Sequence, residues 1–428
     1  MSLRIKLSDF SAIILMIFSF MGAYGIFTGA AGTLRWNLFY YGRFVFMSAF
    51  IFYFYTVKNY KIINKIKKDM IYLLLIPTIL IFIYSIFVWF LQRPTLNFIT
   101  RGVSDTLFNI VAIWAGITMT AVLKEKTIKY GMIAATVVFV TAFLLGLINE
   151  GYTLITSVFG LESEEIAWKI INKYVELHEL LFILGIYIVY VVLLRDNKEK
   201  NKYYLWFLLV VGIFIIGGKR IGLAGVVFAL FVGFFIRALK YNHIKRSTII
   251  LFGFISLAVC LIYAYLSMNL KIIDVFNTLH IDVLGRDIIY RYFAKFGNFG
   301  LTFLGRGVGF VTRQFDYATV DDLHNMISIK ALHNDYMKLY LEIGIFGFVV
   351  WIYYWIVGLP KYFMKKTNIK STIICFAILV YVFITYTTDN TISYFNFQLH
   401  LAMVLTYIYY KHHIDNNCDF KKKRGGAL

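Results

Sequence analysis

Apolar residues in this chain fall in long unbroken runs, with short polar segments between them. A helix needs about twenty apolar residues to cross the hydrocarbon of a bilayer. Twelve runs approach that length, at roughly 9–28, 38–57, 70–91, 103–123, 130–148, 177–194, 203–217, 221–239, 249–268, 338–358, 371–388 and 394–410. Only three prolines interrupt the chain, so long continuous helices are easily formed. The pattern predicts an all-α, polytopic membrane protein with about 12 transmembrane helices. It forms a single domain over 1–428, and one large polar segment, 269–337, lies between the ninth and tenth spans. Residues 166–175, following the acidic Glu162, Glu164 and Glu165, carry apolar positions at helical spacing and predict an amphipathic helix.

Composition agrees with the pattern. Hydrophobic residues make up 60% of the 428 and charged residues 15%, where a soluble domain carries about 25%; mean hydropathy is +0.72. The net charge of +20 would suit nucleic acid, but its placement does not. The lysines and arginines collect in alternate short segments: the N-terminus, 58–69, 124–129, 195–202, 237–248, 361–370 and the tail from Lys411. Those segments account for essentially the whole excess, as the positive-inside rule requires of a cytoplasmic face. Both termini are therefore expected inside, with 269–337 outside as a helical cap over the bundle. The first run follows Arg4 and Lys6 like a signal peptide, but this topology needs it as a span. Cys260, Cys375 and Cys418 are scattered and suggest neither disulfide nor metal cluster.

Residues able to do chemistry concentrate on the external side. Lys219 and Arg220 close a short Gly217-Gly218 turn, against the charge rule. They read either as side chains snorkelling to lipid phosphates or as an anion site, for which the planar arginine fork is suited. In the long loop Arg286, Arg291, Lys295, Arg306 and Arg313 come first and Asp316, Asp321 and Asp322 later. If 286–296 is helical, Arg286 and Tyr290 share one face, with Arg291 and Lys295 on another. Leu304-Gly305-Arg306-Gly307-Val308-Gly309 lacks the βαβ context of a dinucleotide loop. It reads as a turn whose free backbone N–H groups form an anion nest, or as an ordinary glycine turn. His333 stands before Asn334-Asp335 at the mouth of the tenth span. Asn334 and Asp335 suit a helix N-cap, and His333 is either an interfacial histidine or a general base. His324-Asn325 repeats the dipeptide nine residues earlier, half a turn out of phase. Glu342 is costly to bury and should face the bundle interior. Glu176, His178 and Glu179 form a rival cluster at the sixth span, while His400 should bond a neighbouring helix.

The order of these elements resembles the O-antigen ligase and polymerase superfamily. The order is an arginine at an external hairpin, Gly285-Arg286-Asp287 opening a long loop, the glycine segment, and His333-Asn334-Asp335-Tyr336 followed by Glu342-x-Gly344-x-x-Gly347. The specific part covers roughly 217–350. The family's fold is GT-C-like, and its members are bacterial glycosyltransferases acting on polyprenyl-diphosphate-linked sugars. The resemblance implies that Arg220 and Arg286 hold the diphosphate and that His333 assists the acceptor hydroxyl. Lys219, Tyr290, Arg291, Arg306, Asn334, Asp335, Glu342 and His324 are further candidates for substrate binding. His333 is preferred over His324 because Glu342, Gly344 and Gly347 follow it at the family's spacing. Many relatives carry a Pro-Asn element near the sixth span, where this chain has Val175-Glu176-Leu177-His178.

The resemblance implies polymerisation of undecaprenyl-diphosphate-linked oligosaccharide units into surface polysaccharide, at the outer face of the bacterial cytoplasmic membrane, with no metal or cofactor. Its implied partners are the lipid-linked donor and acceptor and the bilayer, with chain-length regulator and flippase proteins as further candidates; nucleic acid is not one. Two other readings stay open: a ligase passing finished glycan to a lipid or protein acceptor, and a transporter or flippase. A transporter should carry ionisable groups on broken helices near mid-membrane.

Overall fold

The computed structural model describes residues 6–29, 33–57, 64–194, 197–280, 285–319, 323 and 331–425. These are mostly helical, with no strand among the described residues. The main helices are α1 (Leu7–Met21), α2 (Gly42–Phe52), α3 (Asn64–Gln92), α4 (Leu96–Leu123), α5 (Thr127–Glu150), α6 (Glu164–Tyr174), α7 (His178–Val192), α8 (Asn197–Ile216), α9 (Arg220–Ala238) and α10 (Asn242–Met268). The loop contributes α11 (Arg286–Ala294) and the short α12 (Phe310–Gln314). The chain closes with α13 (Asp335–Tyr353), α14 (Ile369–Thr385) and α15 (Phe395–Gly425).

Each of the twelve apolar runs centres on helix, but fewer helices reach spanning length. By length and composition, six described helices can cross a membrane. A seventh is added if α6 and α7, bent by 68°, count as one broken span. Two features account for part of the difference from twelve. The helices α1 and α14 are apolar but have 15 and 17 residues, so at 1.5 Å per residue they fall short of the ~30 Å hydrocarbon. The α4–α5 stretch counts as one 55-residue helix, although it is interrupted at Lys124, whose φ is +52°. The chain is a multi-pass membrane protein.

The bundle is built around α7, α9, α14 and α15. Every residue of α7 from Glu179 to Val191 is buried, as expected of a helix apolar on all sides. It packs against α9, α14 and α15; α9 lies along α14, and α4 along α15. By contrast α9 and α10 leave much apolar surface open, including Phe228, Phe231 and Val259, which suits lipid rather than water. His400 on α15 meets the Tyr187 hydroxyl of α7 at 2.6 Å through Nδ1, the interhelical bond expected of it.

Candidate active site

Five segment ends meet at one end of this bundle: the starts of α7, α9, α11 and α13, and the turn between α14 and α15. Together they assemble a charged cluster. Lys219, half-buried just before α9, places Nζ 2.6 Å from Glu176 Oε1 and 4.0 Å from Asp389 Oδ2. His178 Nε2 lies 3.9 Å from the same Glu176 oxygen. Asp389 is buried, and its Oδ1 accepts hydrogen bonds from the Tyr394 hydroxyl at 2.6 Å and the Asn390 N–H at 2.8 Å. Burial pushes the Asp389 carboxyl up. The Lys219 ammonium, with His333, His178 and the Tyr394 hydroxyl, outweighs burial, so the group sits below its ordinary value.

His333 enters the cluster through Asn390. Its backbone N–H donates to Asn390 Oδ1 at 3.0 Å, and its carbonyl accepts from the Tyr290 hydroxyl at 3.2 Å. Between these anchors its φ is +52°, a left-handed conformation rare outside glycine. Because Asn390 Oδ1 is committed to the backbone, the amide nitrogen faces His333 Nδ1, 3.4 Å away. Nδ1 is then the acceptor nitrogen, and the ring proton sits on Nε2. Burial drives the imidazole down to about 4; Asp389 opposes the shift, while Arg286, His178 and Lys219 add to it. The ring is therefore neutral at pH 7, in the form that accepts a proton.

Arg286 opens α11 directly after Gly285, whose left-handed φ of 74° turns the chain into the helix. It is half-buried, and its charge bears on both histidines and on Tyr290. Tyr290 is fully buried, while Arg291 is exposed on the opposite face, matching the division expected from helical spacing. Burial pushes the Tyr290 hydroxyl up to about 12, partly offset by Arg286. Arg220 is the first residue of α9 and exposed; among the described residues no carboxylate pairs with it. Arg306 is also exposed and donates through Nε to the Phe296 carbonyl at 3.0 Å. His324, Asp321 and Asp322 lie outside the described residues.

Other candidates support the architecture. Asn334 is the N-cap of α13: its Oδ1 accepts from the Met337 N–H, and its Nδ2 donates to Ser267 Oγ. Asp335 is buried, with Oδ2 accepting from the Ile392 N–H at 2.9 Å, which ties the start of α13 to the turn bearing Asp389. Glu179, paired in the sequence with His178, instead accepts from the Asn396 and Phe397 N–H groups and caps α15. The rival cluster divides, and Glu176 and His178 join His333.

The glycine segment corrects the expectation of free N–H groups. Gly305, Gly307 and Gly309 all have φ between 84° and 89°, and a side chain at any of them would strike neighbouring backbone or Trp89. Their turn threads into a break in α13, where Gly344 adopts φ 61°, ψ −174°. The Arg306 and Gly307 N–H groups donate to the Leu341 and Glu342 carbonyls at 2.8 and 2.7 Å. Gly309 and Val311 donate to Glu342 Oε1 at 3.1 and 3.2 Å. The nest exists, but its anion is Glu342. That carboxylate also borders a cavity of about 200 Å³ with Arg43, Arg101, Asp105 and Lys338.

Residues 204–352 match the family model for O-antigen ligase. That stretch is similar to the O-antigen ligase family. The match spans about a third of the 428 residues, nearly the stretch over which the sequence resemblance was drawn, and supports the O-antigen ligase and polymerase superfamily. No curated protein matches the chain. Arg220, Arg286, His333, Glu342 and Gly344 lie inside the matched stretch, whereas Glu176, His178, Asp389 and Asn390 lie outside it. Asp389 and Asn390 were missed in the sequence reading. The available signal was parity: the turn after the eleventh apolar run falls on the same face as Lys219 and His333.

Proposed function

We propose that this protein joins oligosaccharide units carried on a polyprenyl diphosphate, acting as a polymerase at the outer face of the cytoplasmic membrane. The observation that supports it is the convergence of Lys219, Arg286, neutral His333 and buried Asp389 at one end of the bundle. In the reaction an acceptor hydroxyl attacks the anomeric carbon of the donor glycan. The bond from that carbon to the diphosphate oxygen breaks with inversion, and the lipid diphosphate leaves as an anion. Arg286 and Lys219, with Arg220 at the rim, supply the fixed positive charge that meets this leaving group. Preorganised charge of this kind is commonly the largest catalytic contribution. His333 takes the hydroxyl proton at Nδ1, where the long Asn390 contact is weak enough for substrate to replace it, and Asp389 stabilises the imidazolium. The long external loop caps the site, and the twelve apolar runs serve as spans.

The break in α13 beside Glu342 is the feature a transporter would use. Glu342 is committed to the glycine turn, which favours the enzyme. Reconstitution with a lipid-diphosphate repeat unit, with products sized on a gel, separates the readings. A ladder is expected, and it should vanish in His333→Ala. One transfer to a foreign acceptor would mean a ligase, and translocation without new bonds would overturn both.

A further inference from the structure

The cations that would meet the diphosphate stand at the starts of α9 and α11. The cavity of about 200 Å³ beside Glu342 has other walls: the start of α2, part of α3, one face of α4, α13 and the start of α15. It adjoins the candidate active site through a shared turn. Ile392 and Ser393 border the cavity, while Asp389 and Asn390 of the same turn hold the charged cluster. His333 stands just before α13, and Lys338, in that helix's first turn, donates to Ser393 Oγ at 2.6 Å.

The lining mixes donors, acceptors and aromatic faces. Arg101, Ser104, Asp105, Phe108 and Asn109 all border the cavity, and their three- and four-residue spacing puts them on one face of α4. Arg101 Nε pairs with Asp105 Oδ1 at 3.0 Å, so these two charges answer each other. The Asn109 amide can donate and accept at once, and among the described residues it makes no side-chain hydrogen bond. Trp351 of α13 and Trp355 just beyond it complete the wall. Trp355 is 7% exposed, and its indole N–H is buried with no hydrogen-bond partner among the described residues. A buried donor left unpaired is costly, and a ligand oxygen would relieve it.

A sugar ring asks for this mixture: hydroxyls that donate and accept around its edge, and an apolar C–H face to lay on an aromatic ring. The size is selective as well. It lies below the roughly 300–1,000 Å³ of drug-sized sites, which suits one ring rather than a chain. The donor's sugar is tied to its diphosphate, and so to Lys219 and Arg286, which leaves this cavity to the acceptor. We propose that the cavity seats the terminal sugar ring of the acceptor glycan and so selects the sugar presented to His333. The inference rests on the glycan-joining reaction proposed above and adds the acceptor's place in it.

The test uses full-length protein in nanodiscs, which keeps alkyl-glycoside detergents out of the cavity. The probes are cyclohexanol and the repeat-unit oligosaccharide released by mild acid from the native host's polyprenyl diphosphate; binding is read by saturation-transfer NMR. The oligosaccharide should bind, with transfer strongest at its terminal ring, and cyclohexanol should not. Asn109→Leu and Trp355→Phe lie on different walls, which guards against one failing to fold. Each should weaken binding about threefold to tenfold, as loss of one neutral hydrogen bond does, and raise KM by a similar factor with kcat little changed. Native protein that binds the oligosaccharide but makes no glycan would remove the reaction and leave the cavity a sugar site. The site is overturned, whether or not glycan is made, if the oligosaccharide does not bind, if cyclohexanol binds equally, or if both folded variants bind as native protein does.

Discussion

Replacing Glu342 separates a structural anion from a substrate ligand. Its Oε1 accepts two buried N–H groups, from Gly309 and Val311, at 3.1 and 3.2 Å. Glu342→Ala leaves both donors without a partner, at about 1–3 kcal/mol each. A total of roughly 2–6 kcal/mol raises the open population of the 305–311 turn by about 30-fold to about 20,000-fold, at about 1.4 kcal/mol per tenfold. Hydrogen exchange of those amides, followed by mass spectrometry in detergent, reads that opening directly. Glu342→Gln keeps an acceptor oxygen in place and loses only the charge assistance, about half the bond strength. The glutamine variant should retain most of the protection and most of the glycan-forming activity. A glutamine variant with native protection but activity down more than a hundredfold would refute the reasoning, because the carboxylate would then be needed by substrate.

Three further outcomes follow from the geometry. His333 is held near 4 and works unprotonated, so activity should stay level as pH falls through 6.5 and decline only near 4; an acid limb centred at 6.5 would place His333 in a far more solvated setting. Lys219→Met and Asp389→Asn should each impair turnover, and a double-mutant cycle should give a coupling of about 0.5–3 kcal/mol; effects that simply add would mean the two groups do not act as a unit. Gly344→Ala forces a side chain into a positive-φ, extended backbone that essentially only glycine adopts, against the Phe303 carbonyl, at about 1–3 kcal/mol for the conformation and about 1–3 kcal/mol for overpacking. Its thermal stability should fall measurably by dye-binding melts, and a melt indistinguishable from native protein would contradict the packing described.

Helical class was legible because burial in lipid imposes an apolar pattern that no soluble fold needs. Most segments that carry the cluster were legible too, since charge at a mouth expected to be external is unusual enough to notice; the turn bearing Asp389 and Asn390 was not. Spacing could not say which residues meet. Glu176 and His178 appeared to be rivals of His333 because 155 positions separate His178 from it in the numbering; only packing of α7 against α14 and α15 brings them together. Glu179 looked chemically equal to Glu176, yet the first turn of α15, at Asn396 and Phe397, claims it as a cap. The glycine segment read as either a nest or an ordinary glycine turn, and its contact with Glu342 could not be foreseen, because Glu342 lies on a different element. Length and composition of the helices support only six or seven spans, because α1 and α14 are short and α4 and α5 run on as one helix.

His333 holds a left-handed φ of 52°, which costs a non-glycine residue about 1–2 kcal/mol. Glycine at that position would release the cost, so His333→Gly should yield a protein that melts higher and makes no glycan. Selection for robustness and selection for turnover therefore pull position 333 in opposite directions. A thermostability screen run without an activity gate would discard the histidine and count the loss as an improvement.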